Sequence, residues 1–209
     1  MMKRMVLGIL LIFGFPMVLA GYSDGYITAG EYDHGMITWR SSDPPLVVNG
    51  GGAMTISVRD NGYLVVQSTS TPLAPGWDKY PGGVYDILLF NNAQLLYLDG
   101  VTELIDVGDN VKAILKGGSI NYIRSMKLTN GGTDQNVDLY CLPDWSWISD
   151  DPLLGIEGQW WDGSPFNIEF INKTNLGFDP AWMNINIITP EPTTLILLGL
   201  GGLMVRRKR

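Results

Sequence analysis

Three stretches of the 209-residue chain repeat one pattern, and that repeat limits the fold more than any other feature. Ile56, Val58, Asp60, Asn61, Leu64, Val65 and Val66 line up with Ile87, Leu89, Asn91, Asn92, Leu95, Leu96 and Tyr97. They line up again with Ile105, Val107, Asp109, Asn110, Ala113, Ile114 and Leu115. The shared form is two alternating apolar residues, an Asp or Asn followed by Asn, and a second apolar run. Alternation with period two marks a strand with one buried face. The Asn that closes each pair can take left-handed backbone and bond its own main chain in a turn. Each copy therefore reads as strand, turn, strand. The last two copies start 18 residues apart, Ile87 to Ile105, and the first two 31 apart, Ile56 to Ile87, with a Pro/Gly-rich insertion at 71–83 filling the longer gap. A period of about 20 residues suits one coil of a parallel β-solenoid, in which neighbouring coils bury an interior that no single coil could bury. Gly50-Gly51-Gly52 and Gly117-Gly118 are expected at corners that need positive φ. The alternative is an antiparallel β-sandwich in which the repeats are hairpins.

No stretch of the body keeps a helical period, so the expectation is an all-β domain. Strands are expected at 46–48, 54–58, 63–66, 85–90, 94–98, 104–107, 112–115, 120–126, 136–141, 155–160, 166–171 and 183–188. The repeat region covers about 46–141, and an aromatic module follows over about 142–188. Within that module Trp160-Trp161-Asp162-Gly163-Ser164-Pro165 separates two alternating runs, and Asp-Gly in that setting signals a β-hairpin.

The two ends differ from the body. Lys3 and Arg4 precede an almost uncharged apolar run from Met5 to Ala20, with small or apolar residues before Gly21. A basic start, a short apolar core and a small-residue cleavage site make residues 1–20 a signal helix, cut between Ala20 and Gly21. At the other end Pro190-Glu191-Pro192 leads into an apolar segment at 193–205 and the cluster Arg206-Arg207-Lys208-Arg209. A terminal basic cluster holds such a segment in the bilayer with its cations on the cytosolic side. The segment reaches only roughly 20 Å as a helix, so it makes a marginal transmembrane anchor suited to a temporary hold. The body between the ends, residues 21–189, is thereby placed outside the cytosol.

Those C-terminal residues, Pro-Glu-Pro followed by a Leu/Gly-rich apolar segment and a terminal Arg/Lys cluster, resemble the PEP-CTERM sorting signal of Gram-negative bacteria. The resemblance implies recognition by an exosortase-type membrane transpeptidase and cleavage near Pro190, Glu191 and Pro192. It also implies delivery of the body, after Sec export and signal peptidase cleavage, to the cell envelope, surface or extracellular matrix. Together with the coil repeats and the Trp-Asp-Gly-Ser-Pro-Phe hairpin, the chain is similar to exported planctomycete-type surface proteins whose bodies are right-handed parallel β-helices. That likeness implies no enzymatic activity.

Charge narrows the function classes further. Six of the 14 Lys+Arg and one of the 21 Asp+Glu lie in the two ends, which leaves the body 8 cations against 20 carboxylates, a net −12. Phosphate recognition rests on clustered Lys and Arg, so nucleic acid is excluded as a partner. An acidic exported surface is compatible with weak Ca2+ binding, for which Asp144, Asp150, Asp151 and Asp162 are near in sequence, although the ligand spacing of known calcium loops is missing. No other cofactor or metal site is expected, since His34 is the single histidine and Cys141 the single cysteine. Cys141 sits in an apolar setting that reads as core. Asp60, Asn91 and Asp109 occupy equivalent repeat positions and would form a ladder. A polysaccharide-cleaving carboxylate pair is the enzyme reading of that ladder, but turn chemistry accounts for it better, and no catalytic residue is assigned. Trp160 and Trp161 are the candidates for stacking on a sugar, which would make exopolysaccharide a partner. Core filling is the alternative for both. The function expected is that of a structural or adhesive surface protein, with a carbohydrate-binding module as the alternative.

Overall fold

The computed structural model of the chain describes residues 25–69, 83–128 and 136–190. Among the described residues no helix is long and apolar enough to cross a membrane. The expected signal helix at 1–20 and membrane segment at 193–205 lie outside the described residues.

The regular structure of the described chain is mostly β, with a few single-turn 3-10 helices. It forms β1 (Tyr26–Thr28), β2 (Tyr32–Trp39), β3 (Leu46–Asn49), β4 (Gly52–Val58), β5 (Tyr63–Ser68), β6 (Val84–Leu89), β7 (Gln94–Tyr97), β8 (Val101–Val107), β9 (Lys112–Leu115) and β10 (Ser119–Ser125). Then follow β11 (Val137–Tyr140), β12 (Ser146–Trp147), β13 (Gly155–Gln159), β14 (Pro165–Ile171) and β15 (Ile185–Ile188). The chain alternates between two sheets. One has the order β1-β3-β5-β7-β9-β11-β15 and the other β12-β13-β14-β10-β8-β6-β4-β2. Every neighbouring pair is parallel except β12 with β13 and β13 with β14.

This pairing overturns the hairpin reading of the repeats. The two strands of each copy, such as β4 and β5, lie in different sheets, and each pairs with the corresponding strand of the next copy. Between them the chain crosses over four residues, at 59–62, 90–93 and 108–111. The turns close through Gly62 N–H to Arg59 C=O at 2.9 Å and Ala93 N–H to Phe90 C=O at 3.2 Å. Asp60, Asn91 and Asn110 take φ of 58°, 60° and 55°, the left-handed conformation that these residue types adopt at least cost. In the first two copies the left-handed residue is thus the first of the Asp/Asn pair rather than the Asn that follows it. The turns stack as the strands do, through Gln94 N–H to Gly62 C=O at 2.8 Å and Lys112 N–H to Ala93 C=O at 3.0 Å.

Crossings of equal length keep the register, and the register builds the core. Ile37, Ile56, Ile87, Ile105 and Ile123 are successive partners across the second sheet and are all buried, with Phe170 continuing the row. Facing them, Ile27, Val48, Val66, Tyr97, Leu115 and Leu139 form a buried row on the first sheet. Burying one such side chain contributes about 1.5–3 kcal/mol, so a strand shifted out of register would lose its share of its row. The interior row also carries one polar contact, Tyr97 Oη to Thr102 Oγ1 at 2.9 Å.

The repeat ends in a cap. β13 and β14 form the expected antiparallel hairpin, with Gln159 opposite Pro165. Its turn is closed by Trp160 N–H to Ser164 C=O and Gly163 N–H to Trp160 C=O, both 2.9 Å, with Gly163 at a φ of 86°. The hairpin extends the second sheet past β10. There Trp160 is fully buried, its indole N–H donating to Gly118 C=O at 2.9 Å and its ring 4.5 Å from Phe166. Trp145 and Trp147 pack against the same end of the core.

Candidate functional site

The corners that lead out of the first sheet are built from small residues, and this makes them concave. From Tyr97 to Val101 and from Leu115 to Ser119 the chain turns through Asp99-Gly100 and Gly117-Gly118. A Cβ on Gly117 would stand 2.3 Å from Leu98 C=O, and one on Gly118 2.6 Å from Gly100 C=O. Gly100 and Gly118 also hold φ of 122° and 80°, which favours glycine on a second ground. With no side chains to fill it, the corner is an open groove of about 460 Å³ running over Thr69, Asp99, Gly100, Gly118, Ser119 and Ser164. Its backbone is already paired between coils, through Ser119 N–H to Gly100 C=O at 2.7 Å and Val101 N–H to Thr69 Oγ1 at 2.7 Å.

Beside the groove the outer face of the first sheet carries an aromatic surface. Leu115 and Leu139 point inward and are buried, so their neighbours Lys116 and Tyr140 point outward, and Lys116 Nζ lies 4.9 Å from the Tyr140 ring centre. Trp161 meets Tyr140 edge to face at 5.0 Å. Its indole N–H donates to Cys141 C=O at 3.1 Å and Ile188 C=O at 3.3 Å. The ring is therefore fixed, yet 47% exposed. One row further in, Asn186 Nδ2 donates to Asp138 at 2.8 Å.

The two sugar-stacking candidates are thus separated. Trp160 is 0% exposed and both faces of its ring are inside the cap, so the expectation of a sugar on Trp160 is corrected: consecutive residues of an extended segment point to opposite sides. Trp161 alone of the pair is presented to solvent. Lys116 and Tyr140 were not legible as part of this surface. Their meeting depends on the parallel register that places Leu115 beside Leu139, across a segment of irregular length.

The turn ladder is held by its own hydrogen bonds. Asn91 Nδ2 donates to Asp60 at 2.9 Å, and Asp109 accepts from the Leu128 N–H at 3.3 Å. The charged cluster of the described body lies elsewhere, on the outer face of the second sheet. Arg124 Nε donates to Asp106 at 2.7 Å and a second guanidinium N–H completes a two-pronged pair. Asp106 is only 3% exposed, and burial pushes its carboxyl upward while Arg124 pulls it back. Asp86, half-buried one coil away, is also raised, first by burial and then by the charge of Asp106. Sequence spacing holds the signal for this pair: Arg124 lies 18 residues from Asp106, one repeat.

Other candidates disperse. No three His, Cys, Asp or Glu side chains of the described residues converge as a metal site. Asp162 is engaged by Ser164, whose N–H and hydroxyl donate to it at 2.9 and 2.6 Å and hold its carboxyl below the usual range. Asp151 accepts from Leu153 N–H at 2.8 Å. Cys141 is buried, and burial with the nearby charge of Asp144 pushes its thiol up to about 11. His34 is exposed and packs edge to face on Tyr32 at 4.9 Å.

After β15 the chain reaches Pro190, where the described residues stop; Glu191, Pro192 and 206–209 lie beyond them. Residues 189–209 match the PEP-CTERM protein-sorting motif. The chain therefore carries a PEP-CTERM sorting motif at its C-terminal end, and the motif implies an exported protein handled by an exosortase. No curated protein and no solved structure matches the chain.

Proposed function

We propose that this is a structural or adhesive protein of the cell surface or extracellular matrix, with a body that is a short right-handed parallel β-solenoid closed by an aromatic hairpin. The observation that carries the reading is the sorting motif at 189–209, directly after the last strand of the body. In this reading the Sec machinery exports the chain and signal peptidase cuts between Ala20 and Gly21. The segment at 193–205 then holds the chain in the inner membrane, with Arg206, Arg207, Lys208 and Arg209 in the cytosol. An exosortase-type transpeptidase cuts near Pro190-Glu191-Pro192 and passes the body outward.

Support for the solenoid comes from the alternation of the chain between two sheets whose strands from β1 to β11 pair in parallel, with several partners 18 residues apart and the longer gaps falling at corners. A stacked-coil body suits a structural role, because each coil contacts only its neighbours and presents long repetitive faces. Such a role needs no catalytic group, and the ladder carboxylates Asp60 and Asp109 are spent on turn hydrogen bonds. Alkaline phosphatase fused after Asp151, in the exposed loop before β13, tests the topology. The fusion is expected to be active, since this enzyme matures only outside the cytosol. An inactive fusion, with a cytosolic reporter active at the same position, would overturn the export reading.

A further inference from the structure

The corner groove and the aromatic surface adjoin. Lys116 lies two residues before Gly118 of the groove lining, and Trp161 shares the hairpin turn with Ser164, which also lines the groove. We infer that Trp161 and this groove form a binding site for a polysaccharide, with one pyranose ring stacked on Trp161 and the adjoining sugars lying along the corner.

Three observations carry the assignment. The first is that Trp161 is rigid and open at once. Two carbonyls and Tyr140 fix the ring, so presenting its face to a ligand costs little side-chain entropy. The second is the shape and lining of the groove. It runs from Thr69 through Asp99 and Ser119 to Ser164, crossing three steps between coils, or roughly 14 Å at the spacing of paired strands. That length fits an oligosaccharide, and hydroxyl and carboxylate groups along it match sugar hydroxyls. The third observation excludes an extended peptide as the better occupant. Main-chain groups of the corner are already bonded from coil to coil, leaving no strand edge for a peptide to join. Lys116, seated over the Tyr140 ring that Trp161 meets edge to face, supplies donors for ring substituents.

This inference rests on the export reading only for where the glycan is met; binding in solution does not depend on it. The test is affinity electrophoresis of the detergent-solubilised full chain through gels containing a neutral β-linked glucan, a neutral mannan or an acidic polyuronate. Retardation by at least one polysaccharide is expected, with Trp161→Ala weakening it about tenfold or more. Trp161→Phe, which keeps a ring but loses the indole donor, recovers part of it. Trp182→Ala, at another exposed tryptophan, leaves retardation unchanged. Lys116→Gln distinguishes the sugar type: it weakens binding to the polyuronate in a salt-dependent way, or binding to a neutral glycan independently of salt. No retardation by any of the three, or retardation that Trp161→Ala leaves intact while Trp182→Ala removes it, would overturn the site. A folding defect in Trp161→Ala is recognised by circular dichroism, and Trp161→Phe then decides: a folded Phe variant that binds no better than background upholds no stacking role and counts against the site.

Discussion

Asp86 sits half-buried on the outer face of the second sheet, one coil from the buried Asp106, and its carboxyl is harder to ionise there than in the unfolded chain. A raised pKa means that the folded state holds the proton more tightly. Its contribution to stability is therefore fully present below the unfolded value of 3.8 and is lost as pH rises through the folded value. Replacing Asp86 with Asn removes that loss. The variant is expected to unfold at higher urea concentration than the parent at pH 7, with the gap closing below about pH 4. Equal midpoints at pH 7 would contradict the electrostatic assignment. At this scale the sequence spoke clearly about turn residues and poorly about facing. The turns were readable because left-handed turns select a few residue types, but in two of the three copies the left-handed residue, Asp60 or Asn91, is the one before the expected Asn. Trp160 and Trp161 are chemically identical neighbours, and only the hairpin's docking on Gly118 decides which one enters the core.

Elements were legible where period and length agreed. All twelve expected strands overlap observed ones, because each carries alternating apolar residues that a buried face demands. β1, β2 and β12 went unread for separate reasons. β1 has three residues and β12 two, too few for a period to register. β2 contains Asp33-His34-Gly35 at an irregularity in its pairing with β4, where Asp33 accepts from the Gly35 N–H at 2.7 Å. That polar, bulged strand stands at the edge of its sheet, where charge and irregularity discourage unwanted pairing. The spacing itself makes a prediction. Val66 and Val84, the partners of Tyr97 and Thr102, are 18 residues apart, whereas Tyr97 and Thr102 are 5 apart, an excess of 13. Residues 70–82 number 13. Deleting them should restore the common corner length and leave the stack intact, with an unchanged far-ultraviolet dichroism spectrum and cooperative unfolding. Loss of cooperative unfolding would show that the insertion is part of the coil rather than added to it.

At the scale of the molecule, the chain has a direction. Strands add to the two sheets from β1 and β2 toward the hairpin, and the sorting motif follows β15. The motif was legible because proline, an apolar run and a basic cluster act through composition and order, without tertiary contacts. The groove was not, since it arises from corners of several coils meeting in space. The body's net charge of −12 also belongs to this scale: it favours a solvated exported surface and weakens any long-range attraction to acidic polymers. The direct test of sorting is intact-mass and C-terminal peptide analysis of the protein recovered from cell envelope or matrix. The expected species begins at Gly21 and ends near Pro190-Glu191-Pro192, without the apolar segment or the basic cluster. Surface material that still carries Arg209 would contradict cleavage by a transpeptidase.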